Sequence, residues 1–163
     1  MDLYLARHGE SGKSLADVKR DSVRSLTSQG RKEVEEIADS IEKLGVEFDE
    51  IATSPLPRAR ETAQIIAKRQ KKAELLLWDE LRPEGDRRAM LSRLAKMGHE
   101  SDVLLVGHEP YLTSVVADLM GARPGTILLK KAGLVRVRVT SFVPSAKGEL
   151  RWLLSPRVLR AVS

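Results

Sequence analysis

Cysteine is absent from the 163 residues, which excludes disulfides, thiolate zinc sites and a cysteine nucleophile. Aromatic residues are few, with two each of Trp, Tyr and Phe, so a stacking surface for single-stranded nucleic acid has little to be built from. No apolar run approaches the length of a membrane span, and no basic N-terminal segment leads into a long apolar stretch with a small-residue cleavage site. These absences set the expectation of a soluble, unprocessed protein in a reducing cytoplasm, with neither a membrane nor nucleic acid as partner.

What is present suits one compact domain over residues 1–163, since 42% hydrophobic content gives a chain of this length a core that is stable without staples. The net charge of +5 leaves nucleic acid, acidic lipid and phosphorylated substrates open until the charges are placed. The densest basic run, Lys68-Arg69-Gln70-Lys71-Lys72, closes a predicted helix, where cations meet the negative end of the helix dipole. It reads as a solvated helix end.

Apolar residues at Val34, Ile37, Ala38, Ile41 and Leu44 predict a helix with one buried face, capped by Thr27 and ended by Gly45. Glu50 to Ser54 reads as a short strand halted by Pro55, and Pro57 begins a helix that runs to about Lys68. A further strand is predicted at Ala73 to Leu77 and a helix at Asp86 to Met97. Asp102 to Val106 is a continuous apolar run, as a fully buried parallel strand would be, and a helix containing Val115, Val116 and Leu119 follows. Leu134 to Thr140 and Glu149 to Leu154 suggest a hairpin about Pro144 to Gly148 at one side of the sheet. This alternation favours one three-layer α/β domain with a mainly parallel sheet flanked by helices.

Three predicted strands each deliver a basic residue from their carboxyl end. Leu3-Tyr4-Leu5-Ala6 runs into Arg7-His8-Gly9-Glu10, the strand near residue 51 into Ser54-Pro55-Leu56-Pro57-Arg58, and the third into Gly107-His108. If the strands are parallel neighbours, these groups converge on the crevice beyond the strand ends, where ligands of open α/β sheets bind. Phosphoryl transfer wants that arrangement, because fixed arginines and imidazoles lower its barrier by positioning and electrostatic stabilisation. Arg7 and Arg58 each present a planar fork of donors. His8 is the candidate nucleophile, kept neutral by the adjacent arginines, and a phosphohistidine intermediate would pass its phosphoryl group to water.

Arg7-His8-Gly9-Glu10, Ser54-Pro55 with Arg58-Ala59 and Thr62-Ala63, and Gly107-His108 resemble, in order, the motifs of the histidine phosphatase superfamily, whose founders include phosphoglycerate mutases. Asp21-Ser22-Val23-Arg24-Ser25-Leu26-Thr27-Ser28-Gln29-Gly30 further resembles a segment of the small SixA-type phosphohistidine phosphatases. The resemblance spans residue 1 to about residue 120. It implies a phosphoglycerate mutase-like fold without metal or organic cofactor. By position it implies His8 as the phosphorylated residue, Arg7 and Arg58 as phosphate ligands, His108 as the second histidine on the phosphoryl group, and Arg24 as an additional contact. Arg24 holding its own loop through backbone carbonyls is the competing reading. The general acid is open between Glu84, Glu80 and Glu10, and a phosphohistidine leaving group departs readily enough to need no strong acid.

The leading function, as the SixA-type resemblance implies, is a metal-independent phosphatase that dephosphorylates protein phosphohistidine, its partner a phosphorylated protein such as a histidine-phosphotransfer domain. Without an insertion to wall off the site, a protein surface can approach His8, whereas a mutase needs an enclosed pocket. The alternatives are a small-molecule or nucleotide phosphomonoesterase on the same residues, and a non-catalytic phosphoprotein or polyanion-binding module. An intact His8 weighs against the last. Trp78 and Trp152 are expected to pack, and His99 to lie in a solvated loop.

Overall fold

The computed structural model describes residues 1–14, 16–143 and 145–161. The six-stranded sheet has the order β3-β2-β4-β1-β5-β6. Its strands are β1 (Asp2–Arg7), β2 (Glu50–Thr53), β3 (Glu74–Leu77), β4 (Asp102–Gly107), β5 (Leu134–Ser141) and β6 (Lys147–Leu154). β1, β2, β3 and β4 pair in parallel, and β5 and β6 continue the sheet antiparallel beside β1. The expected edge hairpin is therefore present. Of its expected turn, Pro144 lies outside the described residues.

Among the described residues six α-helices accompany the sheet, namely α1 (Val18–Ser22), α2 (Ser28–Lys43), α3 (Pro57–Ala67), α4 (Arg87–Leu94), α5 (Tyr111–Met120) and α6 (Pro156–Arg160). Alternation along β1 divides the core into two halves. Leu3 and Leu5 pack with Leu105, Val135 and Val137 against Met90, Leu94, Leu112, Val115 and Val116 of α4 and α5. Tyr4 and Ala6 pack with Leu104 and Val106 against Val34, Ile37 and Ile41 of α2, Ala63 and Ile66 of α3, and Leu159 of α6. Residues 103–106 are wholly buried because both faces of β4 are covered, which is why that strand reads as an unbroken apolar run.

The helix boundaries follow local chemistry. The Thr27 hydroxyl accepts from the Gly30 N–H at 3.0 Å, Pro57 occupies the first turn of α3, and Asp86 accepts from the N–H groups of Arg88 and Ala89. The helix expected at 86–97 covers only 87–94, its last expected turn having no apolar residue to bury beyond Leu94 except the half-buried Met97. α1 has no buried residue, so it leaves no periodic trace in the sequence.

Gly30 places the site. A Cβ there would come within 2.2 Å of the Glu10 carbonyl oxygen, so only glycine lets the first turn of α2 press against the loop after β1. The Glu10 carbonyl also accepts from the Thr27 N–H at 2.9 Å. The loop that follows His8 is thus fixed to a helix end.

Candidate active site

Parallel pairing sets Arg7 opposite Gly107 and Thr53 opposite Val106. The residues one step beyond those strand ends are His8, His108 and Ser54, and all three are buried. The imidazoles of His8 and His108 lie with ring centroids 5.2 Å apart at 56°. His108 Nε2 and Ser54 Oγ are 2.9 Å apart. His8 Nδ1 lies 2.7 Å from the Gly9 carbonyl oxygen, an atom that can only accept. Nδ1 therefore carries the proton, and the lone pair of neutral His8 is on Nε2.

Burial lowers the His8 pKa from 6.5 to about 4, the Gly9 carbonyl opposes that shift, and the charges of Arg58, Arg7 and Lys131 add to it. His108 falls to about 3, again through burial first, then through His8, Arg58 and Arg7. Both imidazoles are neutral at physiological pH. In the unfolded chain each recovers a pKa of about 6.5, so between the folded and unfolded values the unfolded state binds more protons and stability rises with pH. Urea midpoints are expected to fall as the pH drops below about 6.5, and to fall less steeply in His8→Ala. Equal slopes in both proteins would show that His8 is not buried neutral.

A cleft of about 650 Å³ opens over these groups, lined by Arg7, His8, Arg24, Arg58 and His108 together with Glu10, Ser11, Asp21, Glu109 and Lys131. Arg58 is 4% exposed. Its Nη1 donates to the Asp21 carbonyl at 3.0 Å, its Nη2 lies 3.5 Å from the Asp21 carboxylate, and its Nε is buried without a hydrogen-bond partner among the described residues. Arg7 donates through Nη1 to the Leu129 carbonyl at 3.1 Å, and its Nε is likewise unpartnered. The first turn of α3 is tied to the β1 loop through Thr62, whose hydroxyl donates to the Arg58 carbonyl at 2.8 Å and accepts from the Gly9 N–H at 3.1 Å.

Arg24 lines the cleft and also holds the loop in front of it. Its Nη1 donates to the Ser11 carbonyl (2.8 Å), the Ser11 hydroxyl (2.7 Å) and the Gly12 carbonyl (3.3 Å), and its Nε to Asp21 (2.9 Å). The reading in which Arg24 holds its own loop through backbone carbonyls finds its contacts here.

The expected acids Glu80 and Glu84 do not line the cleft, although their neighbour Pro83 does. Glu80 lies 3.5 Å from Arg93, and Glu84 is exposed. A glycine directly after Glu84 would suit a loop that bends toward the site. Gly85 instead lets the loop fold back on itself, because a Cβ there would lie 2.0 Å from the Glu80 carbonyl oxygen. Glu10 does reach the cleft, and it is paired with Lys131. The carboxylate that sequence reasoning passed over is Glu109. It lines the cleft beside His108, accepts from the backbone N–H and the hydroxyl of Thr113, and has a pKa raised by burial. Its signal was adjacency to His108.

Trp78 is buried beneath the Arg93 guanidinium, Trp152 stacks obliquely on Tyr4, and His99 is exposed, as expected of all three. Lys68, Lys71 and Lys72 are exposed and lie outside the cleft. Among the described residues no group of three or more His, Asp or Glu side chains is arranged to hold a metal ion, and no helix is long and apolar enough to cross a membrane.

A mainly parallel sheet flanked by helices, with His8, His108 and Arg7 at its strand ends and Arg58 in the first turn of α3, has an α/β architecture of the phosphoglycerate-mutase type. Residues 3–83 match the family model of the histidine phosphatase superfamily, branch 1. The chain is 34% identical to an uncharacterized protein of Picosynechococcus over 98% of its own length and 99% of the relative. It is 27% identical to the phosphohistidine phosphatase SixA of Escherichia coli over 96% of its length and 94% of that protein. A structure of the protein histidine phosphatase SixA complexed with tungstate superposes with a TM-score of 0.81 at 27% identity, covering 96% of this chain and 98% of that one. The chain belongs to the histidine phosphatase superfamily.

Proposed function

We propose that the protein is a metal-independent protein-phosphohistidine phosphatase that works through a phosphorylated His8. The observation that carries this reading is the pairing of two buried neutral imidazoles, one with its lone pair on Nε2, beneath two arginines with unsatisfied buried Nε donors. Arg7 and Arg58 bind the phosphoryl oxygens, and His108 donates to them in the transition state. Nε2 of His8 forms a bond to phosphorus as the bond to the leaving nitrogen breaks. Water then attacks the phosphohistidine, releasing phosphate and restoring the neutral imidazole. Arg24 supports the phosphate from the rim.

The SixA relatives favour a phosphorylated protein as substrate, and a histidine-phosphotransfer domain fits that class. A phosphorylated imidazole leaves without a strong acid, so the position of Glu80 and Glu84 away from the cleft is no obstacle. The single-domain organisation over 1–163, the cytoplasmic setting and the lack of a nucleic-acid partner belong to the same proposal.

Glu109 favours a second reading, hydrolysis of small phosphoesters, because an alkoxide leaving group needs a proton and this carboxyl is held toward its protonated form at the cleft wall. The two readings separate when wild type and Glu109→Gln are assayed on a phosphohistidine protein and on an alkyl phosphomonoester with excess chelator. The phosphohistidine reading expects wild type to prefer the protein, and Glu109→Gln to lose less than about threefold on it while losing roughly 10²-fold on the ester. A wild-type preference for the ester would establish the second reading instead.

A further inference from the structure

The cations of the cleft differ in how firmly the protein itself holds them. Arg24 spends its donors on Ser11, Gly12 and Asp21, and Arg58 shares two of its own with Asp21. Lys131 is committed differently. Its Nζ lies 2.8 and 2.9 Å from the two carboxylate oxygens of Glu10, a side chain that is 40% exposed and itself lines the cleft.

The main chain beneath Lys131 is fixed to the nucleophile's own strand. The Ala132 N–H donates to both the Arg7 carbonyl (3.1 Å) and the His8 carbonyl (3.2 Å), and Ala132 is held at a φ of 54°, in the left-handed region. The Arg7 N–H in turn donates to the Gly133 carbonyl at 3.2 Å. The root of the lysine is therefore immobile beside His8, while its flexible stem ends in a point charge whose three donors can turn to a new acceptor.

We propose that Lys131 is a ligand of the phosphoryl group, held in reserve by Glu10 and exchanged onto the incoming oxyanion. Three features carry the exchange. Glu10 Oε1 also accepts from the Gly12 N–H at 2.7 Å, so the carboxylate keeps a hydrogen bond when the lysine departs. A phosphoryl group carries more charge than the carboxylate it replaces and offers more acceptor oxygens. Lys131 also already acts on the nucleophile, since its charge is among those that disfavour protonation of His8.

This inference rests on the phosphoryl-transfer reading of the cleft, and an oxyanion titration separates the two. Tungstate binding is measured calorimetrically at low salt for wild type, Lys131→Ala, Lys131→Arg and Glu10→Gln, each checked for native circular dichroism. Lys131→Ala is expected to bind roughly tenfold more weakly, the loss of one charge-assisted hydrogen bond, and Lys131→Arg to recover most of that. Glu10→Gln is expected to bind roughly threefold more tightly, because the lysine no longer leaves a charged partner. A purely structural ion pair would shift Lys131→Ala and Glu10→Gln in the same direction. Affinity of Lys131→Ala equal to wild type, or of Glu10→Gln no tighter than wild type, overturns the exchange. Failure of wild type to bind tungstate or inorganic phosphate overturns the phosphoryl reading itself.

Discussion

Replacing His8 with alanine is expected to lower turnover on a phosphohistidine protein by about 10⁵-fold, the scale on which loss of a nucleophile abolishes covalent catalysis. The protein should remain folded. His8 is buried and neutral, its ring bonds to the carbonyl of the next residue, and the loop is held by the Gly9 N–H on Thr62 and the Glu10 carbonyl on Thr27. The residual rate belongs to direct attack of water on a phosphoryl group still held by the arginines. Because Nδ1 is tied to the Gly9 carbonyl, Nε2 is the atom expected to carry phosphate, and a glutamine at position 8 should rescue nothing. A variant retaining a tenth or more of wild-type turnover would remove His8 from the mechanism.

Arg58→Ala is expected to cost roughly 10²- to 10³-fold in kcat/KM, the range seen when one preorganised donor to developing charge is removed. Arg58 is almost fully buried, and its Nε has no hydrogen-bond partner among the described residues. The contact that ties α3 to the catalytic loop runs through the Arg58 backbone carbonyl to Thr62 and on to Gly9. Truncating the side chain therefore leaves that loop in place and removes the donor fork together with its contacts to Asp21. Arg58→Lys should recover little, since a point charge on a shorter reach cannot replace two parallel donors. A loss below about fivefold in Arg58→Ala would show that Arg7 and Lys131 suffice to hold the phosphoryl group.

The strand ends were legible in the sequence because β1, β2 and β4 are short apolar runs that stop at polar, chemistry-bearing residues. Parallel pairing then leaves little freedom in where His8, Ser54 and His108 arrive. The buried face of α2 was legible through its 3.6-residue period, and its start through the Thr27 cap. Three things were hidden. α1 buries nothing, so its place at the cleft through Asp21 has no periodic signature. The loop after β3 turns back on its own backbone at Gly85, a close approach that composition cannot distinguish from a bend toward the site. Lys131 reaches the cleft from a segment far along the chain, through Ala132 bonded to the main chain of residues 7 and 8. Contacts of that kind depend on tertiary register, which motif spacing does not encode.

The most direct test of the account is to trap the intermediate. Wild type and His8→Ala are mixed with a phosphohistidine protein bearing labelled phosphate, quenched in alkali, and mapped by mass spectrometry. The account requires an alkali-stable, acid-labile phosphoryl adduct on His8 that forms before phosphate is released and is absent from His8→Ala. An active wild-type enzyme that carries no adduct, or carries it on another residue, would contradict it.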